Sequence, residues 1–436
     1  MNWKSMKRPL ASMIPMAITG SVLETVGMTI RVGGFPVPVG AIAQIERPTG
    51  DPILAEVVGF CDCTAILYPY HSMTGIRRGN PVRLKNTMPW MKIGNEVLGK
   101  VLDAHGNSLS ETIVSSLSTE RIPFHQSAPK AHERPRITQS FSTGIRAIDG
   151  LLTLGQGQRV GIFAGSGVGK SVLLGMIARY TTADVIVIGL VGERGREVND
   201  FIERDLGERG LSRSVLVVAT SDESALMRVR AAQTTTAVAE YFRDQGKNVL
   251  LLMDSLTRFA MAQREIGLAA GEPPTRNGYP PSVFAMLPTL VERTGRTRLG
   301  NITAMYTVLV EGDDENEPIA DTTRGLLDGH IWLSRKLASQ GHYPPIDIPA
   351  SISRLMPDIC DREHVEMALR MKKLIATWRE HEDLITIGAY RKGTHAELDT
   401  AVAKRDAILR FLRQNIHEAS CLEDARHEIR EILTND

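Results

Sequence analysis

The stretch from Ala164 to Leu174, AGSGVGKSVLL, carries the strongest chemical signal in the chain. An apolar run, GQRVGIF, leads into it, and a second apolar run follows. A glycine-rich loop between a strand and a helix is a phosphate cradle, because glycines let backbone N–H groups turn inward onto one anion. Here Gly165, Gly167 and Gly169 supply that freedom. Lys170 is placed to reach β- and γ-phosphates, and the Ser171 hydroxyl suits Mg²⁺. The strict pattern has glycine where Ala164 stands, and alanine fits if its φ is below zero.

Two carboxylates follow. The run NVLLLMDS, Asn248 to Ser255, describes a buried strand that delivers Asp254 at its C-terminal edge. Alone, such an aspartate is usually a turn or a helix cap; downstream of a phosphate loop in the same strand–helix pattern it marks the Mg²⁺ position. In LVGERGREVNDFIE, Glu193 follows the apolar run DVIVIGLV with a glycine before it. Phosphoanhydride hydrolysis needs a carboxylate to orient the attacking water, and Asp254 is already committed to the metal. Two readings of this segment stand: Glu193 as that catalytic carboxylate, or a surface ion-pair network formed by the neighbouring Arg194, Arg196 and Glu197.

These residues require a framework. From about Phe141 to Met356, apolar strands (RVGIFA, DVIVIGLV, SVLVVAT, NVLLLMD, NITAMYTVLV, GHIWLS) alternate with helical patterns, including one from about Ser224 to Asp244. That alternation implies a mostly parallel sheet covered by helices. From Ala17 to Leu84, short β-rich runs such as MTIRV, AEVVGF and TAILYPY are punctuated by glycine and proline, the pattern of a small barrel or sandwich. The polar, proline-containing segment from Gly106 to Ser142 reads as a connecting loop. Beyond Asp361, Val365, Leu369, Leu374 and Ile375, then Ala407, Ile408, Phe411 and Leu412, recur at helical spacing. The expected architecture is multi-domain α/β: an N-terminal β-barrel over 1–90, a RecA-like P-loop domain over 91–356 and a C-terminal helical domain over 357–436.

Composition bounds the function. The 436 residues exceed one ordinary core, and 42% apolar with 23% charged residues describes a globular protein. Lys plus Arg (51) nearly balance Asp plus Glu (50), so no global field draws the chain to nucleic acid or anionic lipid. Cys61 and Cys63 have no second pair at metal-ligand spacing, and with Cys360 and Cys421 they read as reduced thiols rather than a zinc site. The N-terminal stretch is interrupted by Pro9 and Pro15, and its apolar run is too short for a signal peptide. No apolar run approaches the roughly 18 residues that span a bilayer, and the expected location is cytoplasmic.

The longer segments are specific. GERGREVNDFIE, LLLMDSLTRFAMAQREIGLAAGEPPTRNGYPPSVFAMLPTLVERTGR and VLVEGDDENEPIAD resemble the ATPases of type III protein export, relatives of the catalytic subunit of rotary F-type ATPases. PPIDIPASIS, Pro344 to Ser353, resembles the signature of rotary ATPase subunits. The resemblance spans nearly the whole chain and implies ATP and Mg²⁺ as ligands. It implies that Gly165, Ser166, Gly167, Val168, Gly169, Lys170, Ser171 and Val172 bind the nucleotide and its metal, with Asp254 as the Walker B aspartate. Glu193 resembles the catalytic glutamate and Arg194 its neighbour at the site. Arg258 matches the arginine that approaches the γ-phosphate, Tyr343 the aromatic that stacks on adenine, and Arg354 the arginine finger. A finger works on the neighbouring subunit's nucleotide, so a heterologous interface that closes into a homohexameric ring is implied.

Which relative is expected follows from smaller features. The helical domain lacks the acidic rotor-contact run of ATP synthase subunits, and the P-loop ends in Ser171 where those usually carry Thr. EDLITIGAYRKGTHAELDTAV looks more flagellar than virulence-type, so the expectation is an ATPase energising flagellar export, with an injectisome ATPase and then a proton-translocating synthase subunit as alternatives. An RNA-translocating hexamer is disfavoured, because the barrel shows no basic–aromatic stripe. The family implies a regulator or stator protein, a stalk protein, a membrane export gate, and exported proteins with their chaperones as partners, at the inner-membrane export apparatus. Export ATPases usually carry a longer helical segment before the barrel; with Pro9 and Pro15 here, regulator docking is expected to be weaker or to use another surface.

Overall fold

The structure is a computed structural model and describes residues 17–109, 119–310, 312, 314 and 316–434. Pro9, Pro15 and residues 110–118 of the expected connecting loop lie outside the described residues. Two compact units emerge: one of residues 17–91 with 223–227 and 262–283, the other of 92–222, 228–261 and 284–434.

In the first unit six strands close a barrel: β1 (Thr19–Val26), β2 (Thr29–Gly33), β3 (Ile42–Ile45), β4 (Ile53–Cys61), β5 (Thr64–Pro69) and β6 (Pro81–Asn86), in the order β1-β2-β5-β4-β3-β6 with antiparallel pairing throughout. Alternate residues fill its interior, among them Val22, Ile30, Val32, Ile45, Val57 and Leu67. Closure removes the exposed strand edges that a sandwich would keep. The Cys61–Asp62–Cys63 run is the turn between β4 and β5: Asp62 has φ +51, and the Thr64 hydroxyl donates to the Cys61 carbonyl at 2.7 Å.

The second unit is built on a sheet of β7 (Val101–Leu102), β8 (Arg159–Ala164), β9 (Val185–Glu193), β10 (Ser214–Thr220), β11 (Asn248–Asp254), β12 (Asn301–Leu309), β13 (Gly329–Leu333) and β14 (Ile346–Ser353). Their order is β14-β13-β8-β12-β11-β9-β10-β7, and Gly295–Arg296 pairs antiparallel with β12 outside that path. Every pair from β13 to β7 is parallel, and β14 runs antiparallel on the β13 edge. Both faces are covered, so β9 reads VIVIGLVGE with all nine residues buried. The rotary signature PPIDIPASIS, which gives no helix and a weak strand pattern, is the antiparallel edge strand β14.

Helices α1 (Arg146–Leu151) and α2 (Lys170–Tyr180) flank β8 in sequence, and Ala225–Asp244 is helical, as the spacing over 224–244 predicts. The C-terminal helices are α3 (Arg362–Glu380), α4 (Ala396–Leu412) and α5 (Leu422–Thr434). Asp361 caps α3 by accepting the His364 N–H at 2.8 Å, and His395 caps α4 through Nδ1 at 3.1 Å. They pack onto α1 and share one continuous core with the sheet, including Ile148, Met371, Phe411 and Ile429. On α3 the buried stripe is His364, Ala368, Met371, Leu374 and Ile375, so Leu374 and Ile375 lie inside as expected, whereas Leu369 is 60% exposed and Val365 half-buried. The expected face is therefore displaced only over the first half of the helix. His364 explains the displacement, since its Nε2 meets the Gly150 carbonyl at 2.8 Å and takes an inward position that hydrophobicity alone assigns to valine.

Candidate active site

Ala164 is the last residue of β8, buried and in parallel register with Leu309 and Leu333. Extended backbone accepts any side chain, and the alanine methyl lies in the core. The chain then turns through Gly167 (φ +75) and Gly169 (φ +96) into α2, whose first residue is Lys170. Gly169 occupies the left-handed region at the helix start, where a Cβ is disfavoured. Gly165 and Val168 are buried, while Ser166, Ser171 and Val172 are exposed around the turn.

Sheet order explains how Lys170 meets the carboxylates. β12 alone separates β8 from β11, and β9 adjoins β11 with Leu190 opposite Asp254. Lys170 Nζ hydrogen-bonds Asp254 Oδ1 and lies 3.6 Å from Glu193 Oε1. Glu193 ends β9 after a bulge at Gly192, where φ is +71 and the register against β10 shifts. A Cβ on Gly192 would stand 3.0 Å from Cδ of Arg258. That close approach lets Arg258, on the helix Leu256–Ala269, donate from Nε to Glu193 Oε1 at 3.1 Å and from Nη2 to Oε2 at 3.4 Å.

Glu193 is 8% exposed. Burial pushes its pKa above the ordinary carboxylate value, Lys170 and Arg258 pull it down, and the neighbouring Glu197 carboxyl pushes it up again. The net direction is upward, which brings the group nearer to neutrality as a proton acceptor.

Lys170, Glu193, Asp254 and Arg258 are thus brought together. Arg194 is not with them: its side chain is 79% exposed and pairs with Glu197 at 3.7 Å, while Arg196 pairs with Asp200 at 3.6 Å. The bulge turns Glu193 inward and leaves Arg194, Arg196 and Glu197 in a surface ion-pair row. Tyr343 is 50% exposed, and its ring carbon Cε1 lies 3.6 Å from where a Gly169 Cβ would stand. Arg354 directly follows β14, is exposed, and its side chain has no hydrogen-bond or ion-pair partner among the described residues.

Sequence reasoning missed Thr307 and the role of Glu197. The Thr307 hydroxyl donates to Asp254 Oδ1 at 2.7 Å from β12, the strand between the phosphate loop and Asp254. Its only signal is a hydroxyl near the C-terminal end of the apolar run NITAMYTVL. Thr257 ties the same corner together by accepting the Leu309 N–H at 2.8 Å. The donor set fits a hard divalent cation: Ser171 Oγ and Asp254 Oδ2 are oxygens that make no hydrogen bond among the described residues.

Residues 144–353 match the ATP synthase alpha/beta family, nucleotide-binding domain, and residues 360–431 match the T3SS EscN ATPase C-terminal domain. The flagellum-specific ATP synthase of Bacillus subtilis (strain 168) is 50% identical over 423 residues, covering 96% of this chain and 95% of that protein. The type 3 secretion system ATPase of Xanthomonas euvesicatoria is 48% identical over 421 residues, covering 96% and 95%. The structure of the assembled ATPase EscN from enteropathogenic E. coli aligns with TM-score 0.90 at 45% identity, covering 95% of this chain and 100% of that one. EscN in complex with its central stalk EscO aligns with TM-score 0.88 at 44% identity over the same shares. The chain belongs to the family of flagellum-specific ATP synthases and type III secretion ATPases, within the ATP synthase alpha/beta family, and is an ATPase.

Proposed function

We propose that this ATPase hydrolyses ATP at the interfaces of a homohexameric ring and energises type III export of flagellar proteins. The observation that carries the chemistry is the convergence of Lys170, Glu193, Asp254 and Arg258 at the C-terminal ends of adjacent strands beside the glycine loop. Lys170 is neutralised by two carboxylates, Glu193 and Asp254. Incoming β- and γ-phosphates compete for it, and the freed carboxylates turn to their tasks. Ser171 and Asp254 would hold Mg²⁺, which would supply charge neutralisation of the phosphates. Thr307 keeps the Asp254 carboxylate in place, and Glu193 orients and polarises the water for in-line attack. Arg258 moves from Glu193 toward the γ-phosphate, Tyr343 stacks on the adenine beside Gly169, and Arg354 serves the neighbour's nucleotide. Its exposed, unpaired side chain is what a finger acting in trans requires. Arg194, exposed beside Glu193, assists through Glu197 rather than by touching phosphate.

The flagellar reading rests on the relatives, of which the Bacillus subtilis protein is named for the flagellum. The assembled state and a central stalk, seen for EscN, are proposed for this chain as well, together with an export regulator, the membrane export gate, chaperones and exported proteins. No helix among the described residues is long and apolar enough to cross a membrane, so membrane association is proposed to be peripheral, from the cytoplasmic side. The decisive experiment is Glu193→Gln in the assembled ring. Trapped, unhydrolysed ATP is expected in a rapid filtration assay, and hydrolysis at the unmodified rate refutes the role. Deletion scored for motility against effector secretion separates the flagellar from the injectisome reading.

A further inference from the structure

A cavity of about 320 Å³ lies among β14, the segment Leu337–His342 and helices α3 and α4. None of the proposed catalytic residues lines it. Its floor is apolar, with Ile346, Ile348, Ile375 and Leu412. Its volume matches small-molecule sites, which begin at about 300 Å³.

Four charged residues line it, Arg379, Glu382, Arg405 and Arg413. Arg405 lies over the Trp378 ring at 4.6 Å and pairs with the exposed Asp406 at 3.3 Å. Arg413 is exposed and its guanidinium has no ion-pair partner among the described residues. By contrast, the lining groups Arg379 and Glu382 are already satisfied, by Asp347 at 2.5 Å and Lys336 at 3.0 Å. His342 is 3% exposed and its Nε2 has no hydrogen-bond partner among the described residues. Burial first, then Arg413 and Arg379, hold its pKa down to about 4, so the ring is neutral and offers a hydrogen bond without adding charge. An apolar floor beside Arg413, unpaired among the described residues, and Arg405, which shares one exposed carboxylate, defines one kind of guest.

We propose that this cavity is a binding site for a small amphipathic organic anion, an aromatic or short aliphatic body carrying one sulfonate or carboxylate. The body lies on the isoleucine and leucine floor, and the anionic group meets Arg405 and Arg413. The site is separate from the phosphate loop and needs no nucleotide.

The full-length protein without nucleotide is titrated with 1-anilinonaphthalene-8-sulfonate, reading probe emission sensitised by tryptophan. Trp378 lies at the cavity wall, so binding there quenches its emission. One saturable site is expected. The uncharged twin, N-phenyl-1-naphthylamine, is expected to bind at least about tenfold more weakly, as loss of one charge-assisted hydrogen bond implies. R405Q combined with R413Q should weaken the sulfonate by at least that factor, and Ala401→Phe should abolish binding by filling the floor. If Ala401→Phe does not fold, the arginine pair decides. Absence of a saturable site, equal affinity for the neutral twin, or binding unchanged by the arginine substitutions would overturn the proposal.

Discussion

Glu193 is held between two cations yet titrates above an ordinary carboxylate, because it is buried and Glu197 stands beside it. A base must be deprotonated to work, so the acid limb of kcat/KM should lie above the usual carboxylate range. Glu197→Gln removes a contribution that raises the Glu193 pKa; the limb should then move to lower pH, with maximal rate little changed. A limb that stays in place or moves upward contradicts this coupling. For Arg354→Ala, nucleotide affinity should hold while turnover falls by about 10³–10⁵, the usual loss for an arginine finger. Equilibrium binding of a fluorescent nucleotide alongside steady-state phosphate release measures both. At this scale much was legible: Lys170, Asp254 and Glu193 follow from residue type and strand ends. Thr307 was not, because a threonine in an apolar strand carries no sign of which neighbour its hydroxyl meets until strand order is known.

Strand and helix positions were read mainly from apolar periodicity, which works where both faces are buried, as in β9 and β11. It faltered for β14, whose prolines and mixed burial hide an antiparallel edge, and for α3, where a buried histidine displaces the stripe. The bulge at Gly192 was likewise invisible, although the glycine itself was noticed. It now supports a prediction at the level of the element. Gly192→Ala places a Cβ on backbone at φ +71 and 3.0 Å from Arg258 Cδ. A left-handed non-glycine residue costs roughly 1–2 kcal/mol, so the midpoint of denaturant unfolding should fall accordingly. Because the same bulge aims Glu193, kcat should fall more than nucleotide affinity, and an unaltered kcat would separate the bulge from the chemistry.

At the level of the whole molecule, Glu193 and Arg354 belong to one chain but serve two proposed sites. That division predicts intersubunit complementation. Rings of Glu193→Gln alone or Arg354→Ala alone should be inactive. Mixed rings contain interfaces where an intact Glu193 meets an intact Arg354, and these should recover measurable ATPase activity. Two inactive proteins that stay inactive when co-assembled would place the arginine in its own subunit's site. Barrel, sheet and C-terminal helices were each foreseeable from composition shifts along the chain. Ring closure was not, since a heterologous interface leaves no periodic mark in the sequence that forms it.

The edge strand β14 has Tyr343 three residues before its start and Arg354 immediately after its end. Its ends lie closer than eight extended residues would put them: Ile346 stands opposite Leu333 and Ser353 opposite Gly329 on β13, a span of about 13 Å at roughly 3.3 Å per residue, with an excursion over Asp347–Ile352 between. In the proposed ring that short span would set the offset between the subunit's own base-binding corner and the neighbour's site. An inserted residue would then be taken up by the excursion, leaving Arg354 where the paired ends hold it.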